Sequence, residues 1–328
     1  MGMSYRTTDG LMRHLRDTGI SISGSKQKRL LMNTGYFHGY KGYRFFGNPG
    51  HRLPFSSYDE VYATIQYDSA LKALMYEKIM FIETAVKNIA LGALLQEANS
   101  EEIQSMFDRV ISSYRNAPLS ATNEQKKKFQ EAKLNLQKSI QASLANAYRK
   151  NNPKITHFYN NTGYTGVPLW ALFEIMTMGD FGYLLSCLTF SARDRISRQL
   201  GLNLSCDTNR ELVYKYIYAL KELRNAIAHN SVVFDTRFRN MDPGAAMKQC
   251  LKITIRLPYV NFKTIGDYVI LMCYYLKLLH VSKTETKAFI RSFEKITDNY
   301  RKAVSPAVAS TVIHPDLPMR MTILKNFI

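Results

Sequence analysis

The sequence predicts an all-α fold, on three observations. From Tyr58 onward apolar residues recur at three- and four-residue spacing through long segments, as in helices that bury one face. The periodic segments are bounded by helix starts and stops, with Thr, Asn or Asp before them and Gly, Asn or Pro after. The most apolar run, "YVILMCYYL" (268–276), is followed by Lys277 and is only about half a membrane span, so it reads as a buried helix. The expected organisation is a basic, aromatic-rich N-terminal region over residues 1–57 packed on a helical domain over 58–328. That domain carries a more polar helical insertion at about 100–165.

In chain order, "TTDGLMRHLRDTGI" predicts a short helix from near Thr8, with Asp9 and Gly10 in its first turn and Gly19 as its stop. A helix over about Ser25–Asn33 follows. The Tyr/Phe/Gly-rich stretch after it suits either short strands with glycine turns or a loop packing its rings on the core. Residues 58–99 predict one long helix, with Glu83 and Lys87 as an i,i+4 pair in the favourable order. Residues 100–150 form the polar helical stretch, and its Lys126–Lys128 run reads as a solvated face. "NNPKITHFYNNTGYTGVP" reads as a loop, and "LWALFEIMTMGDFGYLLSCL" as a buried helix, a glycine break and a second apolar segment. "TNRELVYKYIYALKELRNAIAHN" predicts a long helix capped by Thr208 or Asn209 with Glu211 in its first turn. A buried helix over 266–280, a charged helix over about 282–303 and a proline-containing tail complete the chain, and no internal repeat is present.

The chain has 328 residues, 46% hydrophobic and 21% charged, enough to bury a sizeable core. Against 26 Asp and Glu stand 44 Lys and Arg, a formal charge of +18. Such a field concentrates polyanions, of which nucleic acid is the commonest. Cys187, Cys206, Cys250 and Cys273 lie far apart without a C-x-x-C spacing, and the N-terminal segment has no apolar core. These features predict free thiols, a cytoplasmic location and no membrane association. Neither G-x-x-x-x-G-K-[ST] nor G-x-G-x-x-G occurs, which argues against nucleotide-dependent chemistry. No H-x-x-H, H-E-x-x-H or suitably spaced aspartate pair appears, so no metal and no cofactor is expected.

"LKELRNAIAHNSVVFDTRF" (220–238) brings Arg224, Asn225 and His229 into six residues. RNA cleaves itself when its 2′-hydroxyl is deprotonated, attacks the adjacent phosphorus and expels a protonated leaving group. An imidazole serves as the acid or base of that reaction, a guanidinium holds the phosphate, and Asn225 can orient either. Five residues of helix turn by about 500°, leaving Arg224 and His229 roughly 140° apart in azimuth and about 7.5 Å apart in rise. One helix does not readily point both at one phosphate. A helix end at His229 would free its ring, and a two-fold homodimer would bring two copies of the helix together. The competing reading is complementation of a helix C-terminus by its basic residues.

The same segment resembles the R-N-x-x-x-H signature of HEPN ribonuclease domains and, more closely, the A-H-N-E-R-L-[FY] segment of the abortive infection proteins AbiD and AbiF. "LLMNTGYFHGYKGYRFF", "YDSALKALMYEKIMFIETAVKNIA" and "VPLWALFEIMTMGDFGYLLSCL" are similar to three further blocks of that family, in the same order. The resemblance implies a HEPN-like helical bundle, phage defence and an RNA-directed activity. It assigns Arg224 as phosphate clamp, His229 as acid/base and Asn225 as the polar residue beside the arginine. Where relatives often carry Glu-Arg, this chain has Ser231 and Val232, and Arg237 or Arg239 is the expected replacement. Tyr36, Tyr40 and Tyr43, with Lys41 and Arg44, offer rings and cations to single-stranded RNA or, equally, pack as aromatics. Trp170 is expected in the core, and Glu83 and Glu174 as helix-face hydrogen-bond partners. The leading expectation is a metal-independent endoribonuclease. The alternative is a non-catalytic RNA-binding module in a ribonucleoprotein with a small noncoding RNA, and a protein-interaction module is a third.

Overall fold

A computed structural model describes residues 7–240 and 242–328; the first six residues of the expected N-terminal region, and Met241, lie outside that range. Among the described residues the fold is all-α, with fifteen α-helices, one π-helical turn and no β-structure beyond isolated bridges. Its described residues form two compact units, one within residues 7–79, 222–242 (Met241 aside) and 255–328, the other from residues 80–221 and 243–254. Helices α3 (Tyr58–Ala98) and α10 (Leu212–Ala228) contribute residues to both.

In the first unit, α1 (Thr8–Asp17) starts where the Thr7 hydroxyl accepts from the Gly10 amide at 3.2 Å, and it is followed by Gly19 at φ +88°. After α2 (Gly24–Thr34) the aromatic stretch is neither strand nor plain loop. Gly35, at φ +74°, lets the chain leave α2 and wind into a π-helical turn, Gly35–Lys41, that places Tyr36 and Tyr40 inside. The first half of α3 buries Tyr58, Val61, Thr64, Asp68, Leu71, Met75 and Ile79, the predicted three-and-four spacing. Its start is anchored by Glu60, whose carboxylate accepts from the amides of Ser56 (2.7 Å) and Ser305 (2.8 Å).

The C-terminal helices of this unit are α12 (Ile265–Leu278), α13 (Lys283–Ala303), α14 (Pro306–Val312) and α15 (Leu317–Phe327). Helix α12 is buried on every side from Ile265 to Leu276, as its run of apolar residues predicts. Its one buried carboxylate, Asp267, pairs with the equally buried Arg320 of α15. On α13 the Tyr300 ring stacks on Tyr67 of α3, with centroids 4.4 Å apart.

The second unit begins with the distal half of α3, where Glu83 and Lys87 form the predicted pair at 2.9 Å and Lys87 also reaches the Met176 carbonyl. One 18-residue window of α3, of mean hydropathy 1.3 and 39% buried, makes it long and apolar enough to cross a bilayer by composition alone. The polar stretch over residues 100–150 folds as α4 (Ile103–Arg109) and α5 (Asn123–Arg149), the latter opened by a capping box of Thr122 and Gln125. Then come α6 (Pro153–Asn160), α7 (Leu169–Ile175), α8 (Met178–Cys187), α9 (Phe190–Gln199), the first part of α10 and α11 (Ala245–Ile255).

Four expectations are corrected here. The Asn152–Pro153 pair, read as loop, starts α6: Asn152 caps the Lys154 amide and Pro153 occupies the first turn. The break between α7 and α8 falls at Met176 and Thr177, whose hydroxyl caps the Asp180 amide, while Gly179 lies inside α8. Helix α10 is capped by Asp207, which accepts from the Glu211 and Leu212 amides, rather than by Thr208 or Asn209. Trp170 is 42% exposed instead of buried in the core. All four cysteines are free thiols, and burial pushes Cys187 up to about 11.

Candidate functional site

The end of α10 is built by backbone geometry. Asn230 takes a left-handed φ of 52°; its amide bonds the Ile227 carbonyl at 3.1 Å, and the Ser231 amide bonds Ala226 at 2.8 Å. This pair of bonds is a Schellman motif, with asparagine in the position that glycine usually holds. It fixes His229 as the last helical-turn residue, exposed to solvent. One and a half turns earlier, half-buried Arg224 donates to the side-chain oxygen of its neighbour Asn225 at 3.2 Å.

What holds this end in place is Asp68 of α3, fully buried. One of its oxygens accepts the Val233 and Phe234 amides, both at 2.8 Å, and the other accepts the Tyr43 hydroxyl and the Lys72 ammonium, also at 2.8 Å. Lys72 in turn donates to the Asn230 side-chain oxygen at 2.9 Å, and the Asn230 amide nitrogen lies 3.2 Å from His38 Nε2. His38 is itself exposed. A second imidazole and an ammonium thus meet the side chain next to His229. Neither was singled out from the sequence, although Asp68 stands in the "YDSAL" block and His38 in the "GYFHGY" block that carry the family resemblance.

The expected RNA-contacting residues divide. Burial and the nearby Asp68 push the Tyr43 phenol upward; its ring is 1% exposed and stacks on Phe234. Tyr36 and Tyr40 are also buried, so in this conformation none of the three rings is a platform for a base. Lys41 lies over the Phe37 ring at 4.6 Å, and Phe37 is 74% exposed, so an aromatic–cation pair does reach solvent. Arg44 is half-buried.

Arg237 does not replace the missing arginine of the motif. Its guanidinium binds both oxygens of buried Asp235, donates to the Gly42 and Phe45 carbonyls and lies 4.0 Å over the Phe45 ring. Arg239 donates to the Asn261 and Phe262 carbonyls. Both clamp the polypeptide. Glu83 and Glu174 are paired on their helix faces, Glu83 with Lys87 and Glu174 with Lys154. Among the described residues no three His, Cys, Asp or Glu side chains converge as a metal site would require.

Compared with known families, residues 29–235 match the model of the Abi-like protein. The chain belongs to the Abi-like protein family. Membership places it among the abortive infection proteins of phage defence. The match covers the π-helical turn, α3 to α10 and the Asp68-bound loop up to Asp235. Neither a curated protein nor a solved structure matches the chain.

Proposed function

We propose that this Abi-like protein acts on cytoplasmic RNA as a metal-independent endoribonuclease of the HEPN type, with His229 as acid/base and Arg224 as phosphate clamp. One observation carries the reading: an exposed imidazole stands on a rigidly capped helix end, and its neighbour Asn230 gathers a second imidazole, His38, and the Lys72 ammonium. In the reaction a base takes the proton of the 2′-hydroxyl and the oxygen attacks phosphorus. The 5′-oxygen leaves with a proton from an acid, giving a 2′,3′-cyclic phosphate and a 5′-hydroxyl. Two imidazoles are the usual means of doing both transfers near neutral pH. A two-fold partner presenting its own α10 would supply a second guanidinium across the scissile phosphate.

The test is cleavage of RNA in EDTA. Products should carry 2′,3′-cyclic phosphate ends. His229→Ala should lower the rate by about 10²–10⁴-fold with the helical circular dichroism unchanged, the usual worth of an acid/base group. Undiminished cleavage in that variant rejects the assignment.

A second reading has its own support. Arg237 and Arg239 are both engaged with the polypeptide, so neither stands in for the arginine that the resembling proteins often carry after the histidine. An RNA-binding protein without catalysis, in a ribonucleoprotein with a small noncoding RNA, accounts for that. It expects a defined RNA to co-purify, and His229→Ala to leave the affinity intact.

A further inference from the structure

The second unit holds a cavity of about 570 Å³ with a chemistry opposite to that of the rest of the chain. In a protein of formal charge +18, its lining contains no lysine, arginine or histidine, and it contains two adjacent glutamates, Glu101 and Glu102. Among the described residues neither glutamate has an ion-pair partner. Glu101 accepts the Trp170 indole N–H at 3.3 Å, and Glu102 accepts the Ser105 hydroxyl at 3.4 Å.

The remaining wall is aromatic. Phe158 meets Trp170 and Tyr164 edge-to-face, both at 79°, with centroids 5.4 and 4.9 Å away. Tyr159 also lines the space. Trp170, Tyr159 and Tyr164 are between 42% and 51% exposed, so all three rings reach solvent. With Phe158 near-perpendicular to both Trp170 and Tyr164, these rings border the space as walls rather than as a stack. Their faces carry negative quadrupole potential. Carboxylates add to that potential, so the interior repels phosphate and attracts positive charge.

We propose that this cavity binds an organic cation, a guanidinium or alkylammonium group, held by the faces of Trp170 and Tyr164 with Glu101 and Glu102 as counter-ions. The volume suits a whole extended side chain rather than a bare ion, since pockets for organic ligands run from about 300 Å³ upward. Two sources share this chemistry: the arginine or lysine side chain of a basic protein segment, and a free polyamine. The site is separate from the proposed nuclease chemistry and does not depend on it.

Trp170 is the only tryptophan of the chain, so its emission reports on this cavity alone. The full-length protein is titrated with N-acetyl-arginine amide, its neutral isostere N-acetyl-citrulline amide, spermidine and guanosine monophosphate, with heats of binding measured in parallel. A saturable emission shift with the arginine derivative or spermidine is expected, at least tenfold weaker for the citrulline compound. Response to the arginine derivative alone assigns a protein segment, and response to spermidine alone assigns a polyamine. Replacing Glu101→Gln and Glu102→Gln together, both exposed, should weaken binding at least fivefold. His229→Ala should bind normally, so that loss of cleavage and loss of cation binding are read apart. Equal response to citrulline, response only to guanosine monophosphate, or no shift and no heat with any ligand overturns the proposal.

Discussion

At the residue scale the molecule is governed by a few buried carboxylates with full complements of donors. Asp68 is the clearest. Four donors from three parts of the chain converge on it, and the post-helix loop holds its course because two of those donors are the Val233 and Phe234 amides. Asp68→Asn would leave the nearly buried Lys72 without its counter-charge, and breaking such a pair costs about 3–5 kcal/mol. Thermal unfolding should show the loss, and an unchanged melting temperature would mean that Lys72 has a substitute. Glu60 offers a pH-resolved test. Burial pushes its carboxyl up, but donors from Ser305 and Ser56 outweigh burial and hold it down at about 2, against an ordinary 4.5. A carboxylate depressed in the folded state contributes stability above its unfolded value, and the contribution is lost as pH falls from about 4.5 to about 2. Its ceiling is about 3 kcal/mol at neutral pH. Glu60→Gln should therefore lower the melting temperature at pH 7 and leave it nearly unchanged at about pH 2. An equal drop at both values would show that the carboxylate's charge is not what matters.

At the scale of elements, helices were legible wherever packing writes a period into the sequence, and their ends were not. The long α3 and the buried α12 follow from apolar spacing that survives over several turns. A cap depends on one residue's backbone angles and on which side-chain oxygen reaches an amide, and "SCDTNRE" contains several candidates of the right chemistry. Asp207 wins because both its oxygens reach the first free amides of α10. Asp207→Ala should cost about 1–2 kcal/mol in chemical denaturation, whereas Thr208→Ala should cost only a few tenths. Comparable losses would return the cap to Thr208. The same limit applies to the site. Arg224, Asn225 and His229 are close in sequence and could be read there. His38 and Lys72 meet Asn230 across 192 and 158 residues, a proximity only the tertiary fold creates. The roles expected of Tyr43 and Arg237 failed for the complementary reason. Rings and guanidinium groups suit RNA and protein interiors alike, and only burial distinguishes the two.

At the scale of the whole molecule, a formal charge of +18 turns the proposed RNA association into a question of how many phosphates are neutralised. Each neutralised phosphate of a single strand contributes about 0.7 to the slope of log affinity against log salt concentration. The structure separates cations that can contribute from those that cannot. Lys41 faces only aromatic rings beside exposed Phe37 and has no carboxylate partner among the described residues. Arg237 is saturated by Asp235 and two carbonyls. Lys41→Gln should weaken RNA binding and reduce the slope by about 0.7 without changing stability, because one counterion fewer is released. Arg237→Gln should do the reverse. Breaking its link to Asp235 should cost stability by about 3–5 kcal/mol, with the salt slope of the remaining folded protein unchanged. Filter binding across a salt series, with parallel melting curves, resolves the two. A flat salt dependence in the unmodified protein would remove RNA as its polyanion. A slope lowered by Arg237→Gln but not by Lys41→Gln would move the RNA path onto the Asp235 side of the loop.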